Sequence, residues 1–123
     1  MEWMLSATVS AKPDKFVSHD IDMQKLLEAW RHSIVSFEWL KDGQPKPEEA
    51  LNDTVKDRVV EMKKSLKDNV AQEQPMLGIG IFDGIEIGTG RALVYVLAQQ
   101  GVESVKCSLP TSMEKDILKI IGL

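Results

Sequence analysis

The chain changes character near Pro75, and this change restricts it to folds that combine helices with a sheet. Before Pro75 charged residues are frequent and apolar residues recur at helical spacing, whereas the segment after it is rich in glycine and β-branched residues. Neither half is large enough to build a comfortable core alone, because small domains bury too little of their surface. The sequence therefore predicts a single α+β domain over residues 1–123.

Two helices are predicted before Pro75. Over residues 20–41 an apolar seam recurs at steps of four and three, and its members are Met23, Leu27, Trp30, Ile34 and Phe37. We expect Ser18 or Asp20 to cap this helix. The helix-breaking segment 42–47 separates it from a second helix over residues 47–72. Two long helices with so short a connection pack as an antiparallel hairpin.

Strands are predicted on both sides of these helices. Residues 2–11 have β-compatible side chains and are expected to form a strand that ends before Pro13, followed by a loop. After Pro75, residues 77–82 and 85–88 predict an antiparallel pair joined by a two-residue turn at Asp83–Gly84.

The last third of the chain predicts helix, strand and helix. Residues 89–100 favour a helix that ends at Gly101 over the alternative of another strand. Residues 102–110 predict a strand, and its inward-facing residues are Val105, Cys107 and Leu109. Thr111 and Glu114 have the spacing of a capping box before a C-terminal helix. The expected fold is a long antiparallel helical hairpin plus a C-terminal helix packed on a small mixed or antiparallel sheet.

Five glycines between residues 78 and 90 raise the question of a phosphate-binding loop. A dinucleotide fingerprint needs a preceding strand, and a P-loop needs Lys followed by Ser or Thr, so neither motif is present. A simpler anion site remains, made of Gly88, Thr89, Gly90 and Arg91. A helix that begins there would offer free N–H groups and its dipole to a phosphate or carboxylate. The alternative interpretation is an ordinary turn and helix start.

Charge and hydropathy limit the classes of partner that this chain is expected to bind. The net charge of −4, from 19 acidic and 15 basic residues, is spread along the chain without a basic stripe, so we expect no nucleic-acid partner. Residues 1–5 lack the positive start of a signal peptide, and the longest apolar run, 92–98, is too short for a bilayer. We therefore expect a soluble, cytoplasmic chain without a membrane partner. Cys107 is the only cysteine, which excludes an intrachain disulfide.

No cluster of polar residues in the sequence points to catalysis. Ser18, His19 and Asp20 are adjacent, whereas a catalytic triad brings residues together from separate segments. His32 has Glu28 at helical spacing, but two ligands do not complete a metal site. Asp83 and Glu86 are explained by turn and strand chemistry. We expect no metal, no cofactor and no catalytic residue, and the enzyme interpretation is the less favoured one.

The favoured function is a non-enzymatic protein-interaction module that self-associates as a homodimer. The apolar seam and three tryptophans motivate this interpretation, because tryptophan is enriched at interfaces. The candidate interface residues are Trp39, Leu77, Ile79 and Ile81, since we expect the strand 77–82 to be an exposed edge. The alternative is a protein, with or without enzymatic activity, that binds a small anionic ligand or nucleotide at residues 88–91.

Overall fold

The computed structural model describes residues 1–123 as five α-helices and eight short strands. The helices are α1 (Ala7–Ala11), α2 (Met23–Trp30), α3 (Asp53–Lys67), α4 (Arg91–Gln99) and α5 (Glu114–Ile121). The strands are β1 (Trp3–Met4), β2 (Phe16–Asp22), β3 (Leu40–Lys41), β4 (Gln44–Pro45), β5 (Gln72–Glu73), β6 (Met76–Ile79), β7 (Ile85–Thr89) and β8 (Ser104–Pro110). None of the helices combines the length and apolar character that crossing a membrane requires.

A four-stranded mixed sheet in the order β2-β8-β6-β7 forms the centre of the fold. β2 and β8 pair antiparallel from Phe16–Pro110 to Asp22–Ser104, and β6 and β7 form an antiparallel hairpin. β6 meets β8 in parallel, with Met76 opposite Ser108. Two minor pairs complete the strands, β1 with β5 in parallel and β3 with β4 antiparallel.

Buried side chains form one core cluster of 24 residues that extends from Ile21 to Ile121. Helices α2 and α5 pack on the main sheet, while α3 packs on α4 and α4 contacts the β3–β4 hairpin. Val105, Cys107 and Leu109 of β8 are buried as predicted, but Ser108 is buried too, so burial does not alternate along the whole strand. The fold is therefore a mixed α/β arrangement with a single core.

The predicted helix over residues 20–41 is wrong in both of its ends. Asp22 caps α2, accepting from the backbone N–H of Lys25 at 3.0 Å, whereas Ser18 and Asp20 lie in β2. Residues 16–22 form a strand rather than a loop or a helix cap because each of them pairs with a residue of β8. After Trp30 the chain forms turns and a short 3-10 helix, Ser36–Glu38.

After Trp30 the backbone changes to bonds of the i→i−3 type, from His32 to Ala29 and from Ser33 to Trp30. The Ser36 hydroxyl donates to the carbonyls of Arg31 and Ser33 at 3.1 and 2.9 Å, which offers the backbone an alternative to helical hydrogen bonds. As a result the predicted seam is not continuous: Ile34 and Phe37 are 52% and 65% exposed.

The second predicted helix is real but shorter than residues 47–72. α3 begins at Asp53, because Asn52 caps it by accepting from the Val55 N–H at 2.9 Å. It ends before Asn69, whose φ of 55° lies in the left-handed region. α3 packs mainly on α4 rather than on α2, so the long helical hairpin is not confirmed.

The N-terminal strand prediction also fails in part. Only Trp3–Met4 is extended, and Ser6 caps the short helix α1 by accepting from the Val9 N–H at 3.2 Å. At the other end of the chain the capping box is absent. The Thr111 hydroxyl donates to the Asp14 carbonyl at 3.2 Å, and α5 begins only at Glu114.

The segment after Pro75 folds close to the prediction. The hairpin, the helix α4 and the strand β8 all form, and Gly101 ends α4 with a φ of 78°. The hairpin turn is longer than predicted: Asp83 N–H donates to Gly80 O at 3.3 Å and Gly80 N–H donates to Gly84 O at 2.8 Å. With Asp83 left-handed at 55°, these contacts define a three-residue loop rather than a two-residue turn.

Candidate functional site

A cavity of about 350 Å³ lies between α3 and the start of α4. Its polar lining residues are Arg58, Glu61, Ser65, Thr89 and Arg91. Its other lining residues are Trp39, Met62, Gly88, Gly90, Ala92 and Leu93. We call this cavity the cleft. All four residues of the predicted anion site, 88–91, line it.

The turn from β7 into α4 gives the cleft its backbone donors. Gly90 precedes the helix with a φ of +95°, and no side chain caps the helix N-terminus. A Cβ at Gly90 would lie 2.9 Å from Cα of Pro75, so the turn is packed directly on the chain before β6. The first N–H groups of a helix have no intrahelical acceptor, and they carry the positive end of the dipole.

Arg91 is oriented by its own neighbourhood. Its side chain is half-buried, and Nε donates to the Ile87 carbonyl at 2.8 Å, which fixes the guanidinium beside the turn. Arg58 reaches the same cleft from α3 and is exposed. Neither arginine forms an ion pair in this structure. The cleft therefore combines two unpaired guanidinium groups with one carboxylate, that of Glu61.

Sequence reasoning missed the α3 side of the cleft. Arg58, Glu61 and Ser65 are not among the predicted site residues, because nothing in the spacing of α3 indicates which element faces it. Only the packing of α3 on α4 places these side chains opposite residues 88–91.

Trp39 lies at the cleft but is not a surface residue. It is 1% exposed and packs between Trp30 and Tyr95, at ring-centroid distances of 6.5 and 5.9 Å. The Tyr95 hydroxyl donates to the Lys46 carbonyl. Burial, with a smaller contribution from the charge of Glu49, raises the pKa of Tyr95 above its ordinary value. Trp39 belongs to the core, so its side chain is not available to a partner in this conformation.

The other predicted interface residues separate into buried and exposed ones. Leu77 is 3% exposed and Ile79 is half-buried, because β6 lies between β8 and β7 and is not the sheet edge we expected. Ile81 and Phe82, at the turn of the hairpin, are 80% and 72% exposed.

The hairpin turn is attached to the segment that follows α2. A Cβ at Gly84 would lie 2.9 Å from the carbonyl carbon of His32, and the Ser33 hydroxyl donates to Glu86 Oε2 at 2.9 Å. The turn and the segment that it contacts each carry a pair of exposed apolar residues. We call them the apolar tip, which consists of Ile34, Phe37, Ile81 and Phe82.

The residues considered for catalysis are not brought together. His19 Nε2 lies 2.5 Å from Glu114 Oε2, while the Ser18 hydroxyl donates to Gln74 Oε1 at 2.8 Å. His32 Nε2 lies 3.7 Å from Glu28 Oε1 in solvent. Burial, and after it the charge of Asp20, raises the pKa of Cys107 to about 12, so the thiol is protonated at neutral pH. His, Cys, Asp and Glu form no group of three that could bind a metal ion.

Fold and site together define an α+β protein with an arginine-lined cleft at a helix N-terminus. Comparison with family models, with curated proteins and with solved structures gives no match to this chain. Its function is therefore inferred from its own residues.

Proposed function

We propose that this protein binds a small anionic ligand, of the phosphate or nucleotide class, in the cleft. The observation that carries this proposal is that two arginines without an ion-pair partner, Arg58 and Arg91, line one cavity together with the uncapped N-terminus of α4. The arginines come from elements that are far apart in the sequence. Their convergence thus depends on the tertiary fold and not on one local motif.

The chemistry of these groups suits an anion. Arginine presents several donors in a planar fork that matches the oxygens of a phosphate, and bonds to a charged acceptor are stronger than neutral ones. The free N–H groups of α4 add donors along the helix axis. The carboxylate of Glu61 repels an anion beside it, but Glu61 and Ser65 can both accept a hydrogen bond from a hydroxyl of the ligand. A cavity of about 350 Å³ has the size of a small-molecule site.

The experiment is a titration with inorganic phosphate and pyrophosphate, followed by amide NMR shifts and by tryptophan fluorescence. We expect the largest shifts at the amides of residues 90–93, and Trp39 to report from the cleft wall. Arg58→Gln and Arg91→Gln should each weaken binding about tenfold or more, since a hydrogen bond to a charged group contributes about 1.5–3 kcal/mol.

Lys64→Gln is the matched control for these variants. Lys64 is exposed on α3 and lies outside the cleft, so its loss removes the same charge without removing a proposed contact. The proposal is wrong if neither arginine variant changes binding, or if Lys64→Gln weakens it as much as they do.

The second candidate function is self-association through the apolar tip, favoured by the exposure of four large apolar side chains on two segments that contact each other. Contiguous exposed apolar surface is typical of interaction sites. The test is sedimentation velocity over a range of concentrations. Phe82→Ser should shift a dimer toward monomer, whereas Val60→Ser should not, because Val60 is as exposed as the tip residues but lies on α3. A wild-type monomer at every concentration rejects this candidate.

A further inference from the structure

A second cavity of about 340 Å³ adjoins the cleft on the other side of the Gly90 turn. The two cavities share four lining residues, Met62, Thr89, Gly90 and Leu93. From these the second cavity extends to Met4 on β1 and to β5. The second cavity is therefore a neighbouring space for a ligand that is anchored in the cleft.

The two cavities differ in charge. The cleft has two arginines, whereas no arginine or lysine lines the second cavity, and its only ionisable side chain is that of Glu73. A second anionic group would face Glu73 without a compensating cation. The second cavity thus favours an uncharged part of a ligand.

The apolar lining of the second cavity suits a flexible chain. Met4, Met62 and Ala71 provide aliphatic and thioether surface, and methionine adapts to irregular shapes. Met4 is 46% exposed, so a ligand that covers it removes apolar surface from water.

We infer that the ligand is an elongated amphiphilic anion, a phosphate monoester with an unbranched apolar chain. Its phosphate lies between Arg58 and Arg91, and its chain passes over Met62 into the second cavity. This inference rests on the proposed function of the cleft and adds the class of molecule that the cleft selects.

The test is a calorimetric titration of the full chain with methyl, butyl and hexyl phosphate, beside inorganic phosphate. We expect affinity to rise roughly two- to fourfold for each methylene that enters the second cavity. Met4→Gln should remove most of the gain from methyl to hexyl phosphate and leave inorganic phosphate binding unchanged. Met113→Gln, at a methionine that is 40% exposed and outside both cavities, should have no effect on the series.

The outcomes separate the inference from the function on which it rests. Phosphate binding without dependence on chain length overturns the inference and leaves the proposed function standing. A chain-length gain that survives Met4→Gln also overturns it, because the chain then lies elsewhere. Failure of every ligand to bind rejects both. Binding to phosphatidic acid vesicles without binding of hexyl phosphate identifies a lipid surface as the ligand and overturns the inference.

Discussion

The cleft and the apolar tip each depend on a glycine that packs against a distant stretch of backbone. At the cleft, Gly90 lies against Pro75, and at the tip Gly84 lies against His32. The side chains around the two glycines differ. Leu93 of the cleft wall is 1% exposed and belongs to the core, whereas Phe82 of the tip is 72% exposed. We infer that the buried wall of the cleft cannot be altered without cost to the fold, while the tip can be altered freely once its turn is in place.

Replacing Gly90 is expected to have the largest effect. Gly90→Ala must keep a φ of +95°, which disfavours a residue with a Cβ, and must place that Cβ 2.9 Å from Cα of Pro75. We expect a loss of about 3 kcal/mol in the free energy of unfolding, measured by urea denaturation. Phosphate binding in the cleft should be lost as well.

Gly101→Ala separates the cost of the positive φ from the cost of the contact with Pro75. Gly101 also has a positive φ, +78°, but a Cβ there would have no atom within 4 Å. This variant should cost only about 1 kcal/mol, the penalty for the left-handed conformation. Equal costs at the two positions would mean that the contact with Pro75 does not constrain the cleft.

Gly84→Ala tests the corresponding contact at the tip. Its Cβ would approach the His32 backbone to 2.9 Å, and backbone atoms cannot give way as a flexible side chain does. We expect a loss of about 2 kcal/mol by urea denaturation. Gly78→Ala, on the adjoining strand and with open space around its Cβ, is the matched control and should be nearly neutral. If Gly84→Ala is neutral, the hairpin turn does not pack tightly on the segment after α2.

The pH dependence of stability in the alkaline range tests the burial of two groups, Cys107 in the core and Tyr95 in the cleft wall. The pKa of Cys107 is raised from 9.0 to about 12, so between these values the unfolded chain loses a proton that the folded chain keeps. Stability is therefore complete below about pH 9 and decreases above it, by up to about 1.4 kcal/mol per pH unit. Cys107→Ala should reduce this slope when denaturation is followed from pH 8 to about pH 11.

The pKa of Tyr95 is shifted in the same direction as that of Cys107. Tyr95 contacts Trp39 and so belongs to the cleft wall. Its pKa is raised above 10.0, so its contribution is present below that pH and is lost at higher pH. Tyr95→Phe should flatten the decrease only above about pH 10. A decrease that neither variant changes would show that other groups control alkaline unfolding.

The features of the two surfaces that could be predicted from the sequence are those that depend on local signals. The turn, helix and strand over residues 85–110 depend on local signals, such as the glycine after α4 and the alternation of β8, and these were predicted correctly. The four predicted anion-site residues line one cavity because they are consecutive at a single turn.

Other features depend on pairing between distant segments. β2 forms because all seven of its residues pair with β8, although residues 12–20 resemble a loop and residue 20 resembles a helix cap. Helical periodicity continues past Trp30, but the Ser36 hydroxyl bonds with backbone carbonyls make the chain turn. Arg58 is in the cleft only because α3 packs on α4. The β2–β8 pairing and the α3–α4 packing are tertiary contacts without a signature in a single sequence, whereas the Ser36 bonds are local and interrupt a helical periodicity that the sequence itself shows.

The smallest effect is expected at the exposed side chains of the tip. Ile81→Ser and Phe82→Ser should each change the free energy of unfolding by no more than about 0.5 kcal/mol in dilute protein, because neither side chain is buried. Self-association adds a second expectation. If the tip joins two copies, the wild-type melting temperature rises with protein concentration by mass action, and that of Phe82→Ser does not. A loss above about 1 kcal/mol at low concentration would instead mean that the tip packs against its own chain, and the contrast with the cleft would fail.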